Sequence, residues 1–183
     1  LSKEDCYCNT LLFVLKCNSE SAFDESAILP FLNSQVMGWY FRKHFQISDE
    51  DIFPQIMARD IEELPIPKVT KDQIFLFGSF TTLIQLAKAD NGSGSYQFLE
   101  VVVEACVMEC YFHDHMAERD LLFHDTVAEA LKDYNPDASE AEQLNYLETL
   151  EARLKAAGFP ERLARIPTAS PDLLGVILKE GKV

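Results

Sequence analysis

Apolar residues recur at helical intervals over most of the chain. Ile28, Leu29, Leu32, Val36, Trp39 and Tyr40 fall on one stripe and predict a first helix over residues 26–44, with Pro30 tolerated in its opening turn. Ile74, Phe77, Phe80, Thr81, Leu83, Ile84 and Ala87 form a second stripe. Thr70 and Gln73 stand three positions apart before it, the spacing of a capping box, and residues 91–95 form a turn after it. A third helix over residues 96–117 is apolar nearly all round, with Leu99, Val102, Val103, Cys106, Val107, Cys110 and Tyr111, so it is expected to be the central buried element. A further helix over residues 122–131 stops at Asn135-Pro136. Ser139 and Glu142 make a second capping box ahead of Leu144, Leu147, Leu150 and Leu154, and Gly158 with Pro160 closes that helix. Ser170 and Pro171 open a short terminal helix.

Two stretches break this pattern. Residues 10–15, Thr-Leu-Leu-Phe-Val-Leu, are a short apolar run rich in strand formers and read as a buried strand. Residues 45–69 carry Pro54, Pro65 and Pro67, each of which pushes its predecessor towards extended geometry, so this segment is expected to be an ordered extended loop. The expected fold is therefore mainly α with a small β component (α+β): a short N-terminal strand region, then a helical bundle with one long spacer-like helix. Residues 1–70 are expected to form one lobe, and residues 71–183 a helical bundle packed with it.

Composition narrows the class. The 183 residues are 48% hydrophobic and 25% charged, an ordinary globular balance with enough chain to bury a core. No secretory signal pattern is present, and because the first residue is Leu1 we read the chain as part of a longer protein. The most apolar window, residues 98–112, is interrupted by Glu100, Glu104 and Glu109, which excludes a membrane span there. Cys6, Cys8, Cys17, Cys106 and Cys110 match no common disulfide framework, which fits a reducing cytoplasm. Sixteen Lys plus Arg against 30 Asp plus Glu give a net charge of −14, which repels a polyanion over most of the surface.

The order of several pieces is informative. Residues 31–43 (Phe-Leu-Asn-Ser-Gln-Val-Met-Gly-Trp-Tyr-Phe-Arg-Lys) precede Phe53-Pro54-Gln55-Ile56, and then Ile61-Glu62-Glu63-Leu64-Pro65-Ile66-Pro67 leads into a long helix. This arrangement resembles the TaqI-like C-terminal specificity domains of type II restriction-modification methyltransferases, and also suits the recognition domains of type I specificity subunits. The resemblance is strongest over residues 28–88, with residues 99–112 and 162–180 contributing less. It implies a DNA target-recognition fragment that is not itself an enzyme. Its parent would be an adenine-specific DNA methyltransferase of a bacterial or archaeal cytoplasm, with S-adenosylmethionine bound in a catalytic domain absent here. The implied partners are double-stranded DNA and that methyltransferase domain.

Within this frame Arg42, Lys43 and His44 at the end of the first helix, with Arg59 and Lys68 in the following loop, are the candidate DNA contacts. The same cations also serve as a charge cap on the helix C-terminus, and Trp39 and Tyr40 beside them suit a core. Pro65-Ile66-Pro67 is read as a mechanical element that aims the chain into the next helix. Catalytic motifs are missing: there is no methyl-donor loop, no Asn-Pro-Pro base-holding motif and no phosphate loop among 7 glycines. The acidic runs Asp49-Glu50-Asp51 and Asp60, Glu62, Glu63 lack the spaced lysine of a metal-dependent nuclease and read as solvated surface. Cys106, Cys110 and His113, with Asp114, His115 and Glu118 nearby, could supply zinc ligands, but buried thiols on a core helix are the simpler account, so no metal is expected. The competing reading of the whole chain is a non-enzymatic helical interaction or scaffold domain whose acidic surface meets a basic protein.

Overall fold

The computed structural model describes residues 16–18, 21–45, 58–90 and 95–181. Among them every regular element is helical: α1 (Glu25–Leu32), α2 (Gln35–His44), α3 (Ala58–Glu62), α4 (Lys71–Ala89), α5 (Ser95–Ala117), α6 (His124–Leu131), α7 (Glu140–Ala156), α8 (Phe159–Ala164), α9 (Ile166–Ala169) and α10 (Leu174–Glu180). The expected α+β class is thus corrected to mainly α, with no strand or sheet among the described residues. The strand expected over residues 10–15 lies outside them. The described extended segment, residues 64–70, builds no ladder. Pro65 and Pro67 remove two donors, and Ile66 N–H turns back to the Leu64 carbonyl at 2.9 Å.

The first helix is also corrected, from one element to two. Asn33 ends α1, and Ser34 takes extended geometry (φ −73°, ψ 153°) to start α2. The Ser34 hydroxyl accepts from Met37 N–H at 3.1 Å and donates to the Phe31 carbonyl at 2.8 Å, so one side chain closes both helix ends. The apolar stripe continues across this break, which is why periodicity alone reads it as a single helix. The expected loop over residues 45–69 contains the short helix α3.

Both capping boxes form as the spacing predicts. Thr70 and Gln73 exchange bonds at 2.8 and 3.2 Å at the start of α4, and Ser139 and Glu142 do the same for α7. Gly158 sits in the left-handed region (φ 71°) between α7 and α8. Phe112 (φ −127°, ψ 33°) kinks α5 just before His113. Beyond it, Asp120 (φ 54°) turns the chain, with Leu121 N–H bonded to the Met116 carbonyl at 3.0 Å. The terminal helix starts later than Ser170, whose hydroxyl accepts from Leu174 N–H and meets His115 Nε2 at 2.8 Å.

α5 is the central element, with Leu99, Val102, Cys106, Val107 and Met108 inaccessible or nearly so. α1 lies along α4, where Gly78 allows a close approach (3.0 Å from its would-be Cβ to Ser26 Oγ) and Thr81 donates to the Ser26 carbonyl at 2.8 Å. Phe31 fills the seam edge-on to Phe23, Phe77 and Tyr111. α10 packs back on α2 so tightly that a Cβ on Gly181 would stand 2.3 Å from the Gln35 carbonyl oxygen.

Candidate nucleic-acid interface

α2 brings Arg42, Lys43 and His44 to its last turn, where positive charge complements the carbonyl end of the helix. Each of the two exposed members has an acidic neighbour. Lys43 Nζ is 3.0 Å from Glu180 at the end of α10, and His44 Nε2 is 3.9 Å from Glu63 in the segment after α3. The His44 ring also stacks on Tyr40 at 5.0 Å. Arg42 is half-buried. Arg59, on α3, is exposed with its Nε 3.5 Å from Asp60, and Lys68 is exposed on the extended run into α4. Trp39 is half-buried against the core, so it belongs to the packing of α2. Glu180 is held below the usual carboxylate range, chiefly by the Lys43 ammonium. Lys43 at the α2 terminus is therefore a compensated charge. A phosphate would have to compete with Glu180 for Lys43 and with Glu63 for His44.

The opposite end of α2 is an ordered structure that the sequence did not reveal. Its four leading N–H groups are all satisfied. The Glu104 carboxylate, reaching across from α5, accepts from Gln35 at 2.9 and 3.1 Å and from Val36, Ser34 Oγ takes Met37, and the Ser34 carbonyl takes Gly38. Burial nevertheless outweighs those bonds and lifts the Glu104 carboxyl to about 7. Tyr111 lies near it, its phenol pushed up by burial and then by Cys110 and Glu104.

Five residues further along α5, Glu109 is 4% exposed and tied to α6. One oxygen meets His124 Nδ1 at 2.9 Å, and the other accepts from the backbone N–H groups of Phe123 and His124. The Cys110 thiol lies 3.6 Å from the other ring nitrogen of His124. Burial pushes the Glu109 carboxyl up, but the His124 ring and the two backbone donors overcome it and leave it below its ordinary value. Burial and the Glu109 charge raise the Cys110 thiol to about 12, so this thiol–imidazole–carboxylate chain holds a protonated sulfur and works as a structural tie. Nothing in the primary sequence marks it, because the partners sit fourteen or fifteen positions apart.

The zinc alternative finds no geometry here. Cys106 is fully buried and His113 points outward to Asp114 at 3.1 Å, beyond the Phe112 kink. Among the described residues no three His, Cys, Asp or Glu side chains converge to hold a metal, and no helix is long and apolar enough to cross a membrane. Cys17, Cys106 and Cys110 are free thiols, while Cys6, Cys8 and the acidic run 49–51 lie outside the described residues.

In class, then, the described part is a helical module whose α2 terminus pairs Lys43 with Glu180. Residues 1–66 match the family model of the TaqI-like C-terminal specificity domain. Specificity domains of this family serve DNA target recognition and are not catalytic themselves. The match takes in α1, α2 and α3 with Arg42, Lys43, His44 and Arg59, and ends before Lys68 and α4. The resemblance seen in residues 67–88, 99–112 and 162–180 lies beyond the matched residues. No curated protein and no solved structure matched the chain.

Proposed function

We propose that this chain is the target-recognition part of a restriction-modification protein, selecting and orienting double-stranded DNA for a methyltransferase domain outside these residues. The observation that carries the reading is the specificity-domain match over residues 1–66, which encloses four of the five candidate DNA contacts. S-adenosylmethionine would bind in the catalytic domain, and the parent would be a cytoplasmic adenine-specific enzyme of type II character. Arg42, Lys43, His44, Arg59 and Lys68 would hold phosphates or base edges, with Glu180 and Glu63 releasing Lys43 and His44 as DNA arrives.

The net charge of −14 makes autonomous affinity weak and assigns most of the phosphate grip to the parent. Binding of a cognate duplex to the full-length protein and to this chain alone, over a salt series, tests the reading. We expect tight, sequence-selective binding only in the full-length protein. Replacing Lys43 or Arg59 by alanine there should reduce the slope of log affinity against log salt by about 1 for each phosphate that the side chain had neutralised. Undiminished affinity and slope in the quadruple Arg42, Lys43, Arg59, Lys68 alanine variant would remove the proposed interface. The acidic neighbours of Lys43, His44 and Arg59 favour one second reading, a helical docking domain for a basic protein. Binding of a basic partner with no DNA selectivity in the full-length protein would select it.

A further inference from the structure

A groove of about 990 Å³ opens between the α1–α2 junction, α4, α5 and the α8–α10 end of the bundle. Its walls are largely apolar, with Leu29, Ile84, Val101, Met108, Ile166 and Leu178 among them. Val101 is 41% exposed at the surface, which is uncommon for a β-branched side chain on an otherwise buried helix. The ionisable residues lining it are Lys88, Glu100 and Glu104. Lys88 and Glu100 neutralise each other at 2.6 Å, with the ammonium also over the Tyr96 ring. Glu104 is thus the one lining charge left without a countercharge among the described residues. A carboxylate that lacks a countercharge, set in an apolar groove, defines the ligand by what it lacks.

We propose that this groove is a binding site for a small organic amine with an apolar body, the ammonium meeting Glu104 and the hydrocarbon lying against Ile84 and Val101. The ammonium brings a positive charge and N–H donors, which match the uncompensated carboxylate. An uncharged ligand of equal size would gain the apolar contacts alone. Glu104 takes its proton near pH 7, so an amine that stays cationic should bind more tightly as the pH rises through that value. The other charged or titratable groups facing it are the Lys88–Glu100 pair and the phenol of Tyr111, which burial keeps protonated in that interval. The site is independent of the DNA-recognition reading.

The test uses the full chain carrying methyl-labelled isoleucine, titrated with hexylammonium and, separately, with hexanol, while the methyl signal of the half-buried Ile84 is followed. Hexylammonium should saturate with a Kd on the order of 1 mM at pH 8. It should bind about tenfold more weakly at pH 6, where Glu104 is mostly protonated. Hexanol should bind about tenfold more weakly than the amine at pH 8. E104Q should bind amine and alcohol alike, and V101W, which puts a much larger side chain in the groove lining, should bind neither. Equal affinity of the wild type for amine and alcohol, or undiminished amine binding to V101W, would overturn the proposal. A duplex-binding failure would leave these titrations unaffected.

Discussion

Glu104 and Glu109 lie on the same helix, five positions apart, and both are withdrawn from water, yet they are shifted in opposite directions. Glu109 has an imidazole and two backbone donors converging on it. Glu104 has backbone donors alone, the start of α2. Burial pushes both carboxyls up, and a basic side chain distinguishes them. The comparison shows that a helix N-terminus can orient a buried carboxylate without fully stabilising its charge, whereas a ring donor completes the task.

The two groups also give stability opposite dependences on pH. The Glu104 pKa in the folded chain lies above that of an unfolded glutamate, so the folded state carries an extra proton between about pH 4.5 and 7. Stability from this group is greatest below that window and declines as the pH rises through it. Glu109 is lowered, so its contribution is present above the ordinary glutamate range and is lost on acidification below it.

The sharpest way to break the comparison is Glu109→Ala, which leaves the His124 ring and two backbone N–H groups without their acceptor. Denaturant unfolding at neutral pH should show a loss of about 3–5 kcal/mol, and a loss under about 1 kcal/mol would mean the tie is dispensable. Next comes Glu104→Gln. Its stability relative to wild type should improve by as much as about 3 kcal/mol between about pH 4.5 and pH 8, because only the wild type must ionise a buried group. A flat difference across that range would show that Glu104 is not strained. Gly181→Ala should cost about 1–3 kcal/mol by forcing α10 away from the Gln35 carbonyl, and should also bring the Glu104 pKa, followed by carboxyl NMR, down towards its ordinary value as water enters. Smallest is Cys110→Ala, expected to cost about 1 kcal/mol while leaving the Glu109–His124 bond intact. A much larger thermal shift would show the thiol to be an essential member of the chain.

Some of this was legible in the sequence. The capping boxes at Thr70 and Ser139, the buried character of α5 and the turn at Gly158 follow from local spacing and local chemistry, and the structure carries them. The break at Asn33–Ser34 was not legible, because Ser34 resembles any exposed helical serine until its hydroxyl is seen joining two helix ends. Nor were Glu104 and Glu109: in sequence they are interruptions of an apolar run, and their meaning depends on Gln35 and His124, which folding brings to them. The candidate DNA contacts were visible as cations, but Glu180, which compensates Lys43, lies 137 positions away in the chain and could not be anticipated.

The contact between α10 and α2 limits how specificity could be transplanted. Residues 1–66 look like an exchangeable cassette, but Lys43 is held by Glu180, the Gln35 carbonyl leaves no room for a methyl group at position 181, and Ala27 and Phe31 are sealed by α4. A chimera joined at residue 66 would inherit an α2 whose seat was shaped for another sequence. The smallest graft that preserves its angle carries α4, α5 and the C-terminal helix along with it.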